Sequence, residues 1–140
     1  MVGVRCASLG WWRDWLGEAL DDLDAAKALF QVGKWSKVCS FSHQAVEKAL
    51  KALLIKKLRV YIHTHSIARL VDEVSRALQL PPGLVEKVKK LDMRYIPTRY
   101  PNAWPEPPPY KHYSREDAEE ALSVAVSVVE LVRRGVEENP

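Results

Sequence analysis

From Trp35 to Leu58 the chain reads WSKVCSFSHQAVEKALKALLIKKL. Val38, Phe41, Ala45, Val46, Ala49, Leu50, Leu53 and Leu54 recur in it at helical spacing. Together they cover an arc broader than one stripe, which predicts a central helix touching several neighbours. His43 and Glu47 lie one turn apart on this helix, and Gln44, Lys48 and Lys51 occupy an adjoining strip. This polar ridge has two readings. Gln44, Glu47 and Lys51 form the floor of a ligand groove, or Glu47 and Lys51 make an ordinary pair four residues apart, worth roughly a few tenths of a kcal/mol.

Helical periodicity continues on both sides. Upstream, Leu16, Ala19, Leu23, Ala26 and Phe30 define one face of a helix that starts near Trp12 and stops at Gly33, the residue type suited to a left-handed helix end. Downstream, a shorter helix is expected to begin near Ser66 and run through Ile67, Leu70, Val71, Val74 and Leu78, with Thr64 or Ser66 as N-cap. Pro81-Pro82-Gly83 breaks the chain, and a helix of about residues 82–93 follows, with Leu84, Val85, Val88 and Leu91 inward. Ser114-Arg115-Glu116-Asp117 reads as a capping box, and Ala118, Ala121, Ala125, Val128 and Val132 carry the last helix towards Gly135. No segment alternates at period two over strand length. The economical architecture is all-α, with four or five helices in an antiparallel up-and-down bundle. Residues 1–10 form an N-terminal extension, 11–135 the bundle and 136–140 a tail.

The 140 residues fit one domain, and 47% apolar with 28% charged residues is a globular composition. No apolar stretch is long enough for a membrane span, and Gly10-Trp11-Trp12-Arg13-Asp14 stands where a signal peptide needs continuous apolar sequence. Cytoplasmic residence is the expectation. Cys6 and Cys39 lack metal-site or disulfide spacing and read as free thiols. A net charge of +3 permits phosphate contact but is no strong nucleic-acid signature. Two Asn and three Gln are few, which points to a thermophilic source.

Residues 94–113 hold six prolines, and Tyr95, Tyr100, Tyr110, Tyr113 and Trp104 lie among Arg94, Arg99, Lys111 and His112. Aromatic faces stack on bases and guanidinium groups hold phosphates, so the mixture suits a nucleotide or a single strand. The competing reading is that the rings pin the segment to the bundle. His63-Thr64-His65 is weak as a metal site because a third ligand is missing, and His65 is expected to cap or anchor the third helix. Lys56, Lys57 and Arg59 sit where cations offset a helix dipole. Phosphate-loop and dinucleotide glycine motifs are absent from the sequence, and neither a cofactor nor a metal is implied.

The run Phe41-Ser42-His43-Gln44-Ala45-Val46-Glu47-Lys48-Ala49-Leu50-Lys51-Ala52-Leu53 resembles the HEPN domain family. So do Asp21 to Ala26, Thr64-His65-Ser66, Tyr95 with Thr98-Arg99-Tyr100-Pro101, and Asp117-Ala118. The resemblance implies four long helices plus a shorter one, frequent dimerisation, and association with nucleotides, with minimal nucleotidyltransferase partners and with RNA-cutting toxins of toxin–antitoxin pairs. The toxin branch uses an Arg, four to six residues and a His near the fourth helix. Here the first His after Arg94 and Arg99 is the distant His112; Arg59 and His65 have a fitting spacing but lie at the junction of helices two and three. The reading is therefore a non-catalytic, homodimeric HEPN domain that binds a nucleotide or RNA or serves a nucleotidyltransferase. Its candidate ligand residues are Arg99, Tyr95, Tyr100, Gln44, Glu47, Lys51 and His43. The alternatives are a metal-independent ribonuclease, using Arg99 with His112 or His43, and a plain interaction module.

Overall fold

The computed structural model describes residues 4–6, 10–99 and 111–137, with side chains over 10–94 and 111–137. Helix α1 spans Trp11–Gln31 and buries Leu16, Ala19, Leu23 and Ala26. It ends as the sequence predicts: Gly33 takes φ 76°, its N–H donates to the Phe30 carbonyl at 3.2 Å, and the Lys34 N–H donates to Leu29 at 3.1 Å. These two bonds satisfy carbonyls that the helix end would otherwise leave open. Helix α2 spans Trp35–Leu58 and is the hub, packing on α1 and on all three later helices. Its wide apolar arc is the reason, since each side of the arc meets a different neighbour.

Arg59 closes α2 in the left-handed conformation at φ 57° and turns the chain back along the helix. There β2 (Val60–Ile62) pairs antiparallel with β1 (Val4–Cys6), Arg5 opposite Tyr61. This two-stranded ribbon corrects the expectation of no strand and of a bare N-terminal extension. Three-residue strands are too short to show alternation, and the pairing joins segments more than fifty residues apart. Val60, Tyr61 and Ile62 are nonetheless residue types that fit a pleated surface.

Helix α3 spans Ile67–Ala77, with Ser66 as its N-cap accepting from the Arg69 N–H at 3.2 Å. Helix α4 spans Leu84–Arg99 and α5 spans Arg115–Glu137. The four long helices alternate in direction: Phe30 meets Trp35 across the α1–α2 turn, His43 of α2 meets Asp92 of α4, and Leu53 of α2 lies against Gly135 of α5. Short α3 is inserted through the ribbon. The all-α bundle of four long helices and one short one is thus as expected.

Two helices exceed their expected ends. α4 continues six residues past Met93, through Pro97; a proline in the last turn forfeits only one ladder bond, so it did not have to stop the helix earlier. α5 passes through Gly135, where Leu53 Cδ1 would lie 3.5 Å from an added Cβ. The capping box at its start is formed, with Ser114 Oγ accepting from the Asp117 N–H at 3.2 Å and Asp117 accepting from the Ser114 N–H at 3.0 Å. Among the described residues no helix is long and apolar enough to cross a membrane.

Candidate functional site

His43, Glu47 and Lys51 stand four residues apart on α2, so their side chains lie one above another on one face. All three are buried, at 0%, 4% and 3% exposure. Ionisable groups at such depth are costly unless paired, and each is met by a different part of the chain. The His43 Nε2–H donates to Asp92 Oδ1 at 2.8 Å. Asp92 also accepts from Ser66 Oγ at 3.1 Å, the Ala68 N–H at 3.2 Å and the Ile67 N–H at 3.4 Å. One carboxylate therefore ties α2 to α4 and caps α3. Burial alone would raise the Asp92 carboxyl; the bonds from His43, Ala68 and Ser66 more than offset this and hold it below the usual carboxylate range.

One turn on, Glu47 accepts from Lys51 Nζ at 3.1 Å and from the His65 Nδ1–H at 3.2 Å to each oxygen. The His65 side chain is 65% exposed, whereas that of Glu47 is 6% exposed. A buried carboxylate thus holds the ring of a solvent-facing histidine through Nδ1, and a carboxylate–imidazole contact of this kind fixes the ring's orientation. One further turn on, the Lys51 ammonium lies 5.0 Å from the Trp15 ring centre and 5.3 Å from that of Tyr61. Tyr61 stacks on Trp15 at 5.6 Å and takes Trp11 edge-on at 6.1 Å. His63 then lies 6.2 Å from Tyr61 and 6.4 Å from His65.

The outcome is a continuous band of rings, Trp11, Trp15, Tyr61, His63 and His65, backed by Glu47 and Lys51. It opens at Trp11, Asp14, Trp15 and Tyr61 into a cleft of about 360 Å³. Arg13 and Lys56 lie over the ring of Trp12, the next residue after Trp11, at 4.7 and 5.1 Å. Stacking faces beside cations and outward-facing imidazoles can hold a base and a phosphate together.

The sequence-predicted residues divide among several environments. Glu47 and Lys51 come together inside the protein, and His43 is committed to Asp92 and shielded from any substrate, which removes it as a general base. Gln44 is half-buried and donates back to Ser40 Oγ at 3.4 Å, away from this band. The side chains of Tyr95 and Arg99, and the whole of Tyr100, lie outside the described residues. The α4 backbone beyond Asp92 heads towards the N-terminal end of α2, opposite to the Glu47 and Lys51 direction. Arg94 pairs with Asp117 at 2.7 Å, and its carbonyl accepts from the Tyr113 hydroxyl, so it locks α4 to α5. His65 anchors the entry to α3 through Glu47, while Ser66 supplies the cap.

Burial pushes the Cys39 thiol up to about 12, which makes it inert as a nucleophile at neutral pH. Among the described residues no group of three or more His, Cys, Asp or Glu is placed to hold a metal ion. Asp92, Tyr61, Trp11, Trp15 and Asp14 were not singled out by the sequence. Trp11 and Trp15 do stand four apart on α1, a signal that a ring stripe begins there, but their convergence on Tyr61 depends on the β2 return.

Five helices in this order, with a polar stripe buried along the second, define an all-α helical-bundle domain. The HEPN domain profile matches residues 12–135, and the chain belongs to that family. It is 28% identical over 127 residues to a Methanocaldococcus jannaschii protein named "Putative toxin MJ1304", covering 82% of this chain and 81% of that one. Among solved structures, it is similar to TT1696 from Thermus thermophilus, with 38% identity, a TM-score of 0.81, and 89% and 97% of the two chains covered. ST0689, an archaeal HEPN homologue, follows at 30% identity and a TM-score of 0.73, with the same coverages of 89% and 97%.

Proposed function

We propose that this HEPN domain binds a nucleotide or a single RNA strand along the band from His65 through Tyr61 to Trp15, without chemistry of its own. The observation that supports this most directly is the convergence of three aromatic rings and two outward histidines on buried, internally paired Glu47 and Lys51. Such pairing gives the rings a fixed support, so little conformational entropy is lost on binding. Base stacking on one ring contributes about 1–3 kcal/mol. Tyr61→Ala is therefore expected to weaken binding of a short RNA about 5- to 150-fold, and Tyr61→Phe to restore it, in a titration followed by tryptophan fluorescence. Equal affinities for all three proteins would remove the site.

Metal-independent RNA cleavage is the second reading, favoured by the fixed, exposed imidazole of His65 and consistent with the name of the archaeal relative. Incubation of purified protein with labelled RNA, and its repeat with His65→Ala, separates the two readings. A ribonuclease loses cleavage in the variant, and a pure binder cleaves in neither case. On either reading we take homodimerisation and a separately encoded nucleotidyltransferase as proposed partnerships, the first because Leu122, Val126 and Leu131 stand only partly buried along α5.

A further inference from the structure

The cleft beside Trp15 has a shape and a polar group that select among bases. Trp11 stands at 89° to the Tyr61 ring and Trp15 at 29°, so the two indoles give the cleft a wall and a floor. A flat base can lie on the floor with its edge against the wall. Its volume of about 360 Å³ is at the small end of ligand pockets, room for one planar group and not for a duplex. Asp14 is the acidic group on the lining, exposed in the first turn of α1, and it has no hydrogen bond or ion pair among the described residues.

An ionised carboxylate only accepts hydrogen bonds, and with two oxygens it is matched by two donors side by side. Among the four RNA bases, guanine alone presents such a pair on its pairing edge, the N1–H and the exocyclic amine. Adenine and cytosine set an acceptor beside their amine, and uracil sets its single N–H between two carbonyls. An aromatic corner with a carboxylate could equally attract an alkylammonium ion. The surroundings decide against that ligand: Lys51 already lies on the Trp15 and Tyr61 rings, and Arg13 and Lys56 sit next door on Trp12. With Lys51 balanced by Glu47, Arg13 and Lys56 remain beside the single carboxylate of Asp14, a balance that favours a ligand carrying a phosphate over a free cation.

We infer that the Trp11–Trp15–Tyr61 cleft is a guanine pocket, with the base stacked on the indole floor and its N1–H and amine donating to Asp14. The inference rests on the nucleotide reading above and adds the base to it. Tryptophan fluorescence titrations of the full chain with GMP, IMP, AMP and UMP test it. GMP is expected to bind about tenfold or more tighter than AMP or UMP, with IMP, which keeps N1–H and lacks the amine, in between. In Asp14→Asn the preference is expected to collapse, GMP affinity falling towards that of AMP, with the melting temperature unchanged because the exposed carboxylate supports no contact of the fold among the described residues. Equal binding of all four nucleotides overturns the guanine pocket and leaves the nucleotide reading standing. No binding of any of them, or saturable quenching by choline alone, overturns both. A GMP preference that survives in Asp14→Asn also overturns the assignment.

Discussion

Two pairs in this chain have the same spacing and opposite lives. Glu47 and Lys51 on α2 and Arg115 and Glu119 on α5 are each four residues apart and about 3 Å in contact, at 3.1 and 3.0 Å. Side-chain exposure is 6% for Glu47 and 3% for Lys51, against 62% for Arg115 and 53% for Glu119. The difference comes from what other segments lay over them. Trp15, Tyr61 and His65 cover the α2 pair, whereas Arg115 lies over the Phe30 ring, 5.4 Å from its centre, and stays largely in solvent. An ion pair inside a protein has lost its hydration and depends wholly on its partners; one outside is continually replaced by water.

The sharpest break of the comparison is to remove one member of the inner pair. In Lys51→Met the Glu47 carboxylate stays buried with only His65 against it. Stripping a buried charge of its partner costs about 3–5 kcal/mol, and the remaining imidazole contact sets the expectation near the lower end. Urea unfolding measures this. Combining the change with Glu47→Gln should recover much of the loss, since no uncompensated charge is then left. A single-variant loss below about 1 kcal/mol would mean that water reaches Glu47 and that the stripe is not an interior feature.

Read along the sequence alone, these two pairs cannot be distinguished, and that marks the limit of its legibility. Helix identity followed from local signals: the three-and-four spacing of Val38 to Leu54, Gly33 at a left-handed end and Ser114 with Asp117 at a capped start. Partners distant in sequence were hidden. Nothing near His43 indicates Asp92, 49 residues on, and nothing near Trp11 and Trp15 indicates that Tyr61 will return to them on a three-residue strand. The polar ridge of α2 was legible as a ridge, yet its burial and its pairing with His65 were not, because both are created by the chain folding back after Arg59.

The next largest effect probes the His43 end of the same stripe. The folded-state pKa of Asp92 lies below its ordinary value, so its interactions contribute stability that is complete above the unfolded value, about 3.8, and is lost as pH falls through the folded one. Unfolding followed from pH 6 downwards should show wild-type stability falling in this acid range. Asp92→Asn should be less stable than the wild type by about 1–2 kcal/mol at pH 6, because the bonds from His43, Ser66 and the Ala68 N–H lose their ionised acceptor, and the gap should narrow towards pH 3. A constant gap over that range would place the contribution of Asp92 in shape and not in charge.

Gly33 offers a smaller, purely backbone measure just before the N-terminus of α2. A Cβ there would meet only the Trp35 ring at 3.6 Å, ordinary contact, so the cost of Gly33→Ala lies in holding φ 76°. The expected loss is about 1 kcal/mol by thermal or urea unfolding, with nucleotide binding unchanged. Weakened binding at equal folding would show that the α1–α2 turn feeds into the ring band.

The smallest effect is expected at the outer pair, and its smallness is what gives the comparison meaning. In Arg115–Glu119 the cation precedes the anion along the helix, the less favourable order, whereas Glu47 precedes Lys51. Exposed pairs at this spacing contribute about 0.3–0.5 kcal/mol, and salt at 0.1 M screens charges beyond about 10 Å. Glu119→Gln should therefore cost less than about 0.5 kcal/mol in low salt and close to nothing at about 1 M sodium chloride. The Lys51→Met loss should hardly change over the same range, because the Glu47 environment excludes the screening ions. If both losses shrink together with salt, the inner pair is solvent-accessible and the contrast between the two helices disappears; if only the outer one does, burial by Trp15, Tyr61 and His65 is what separates them.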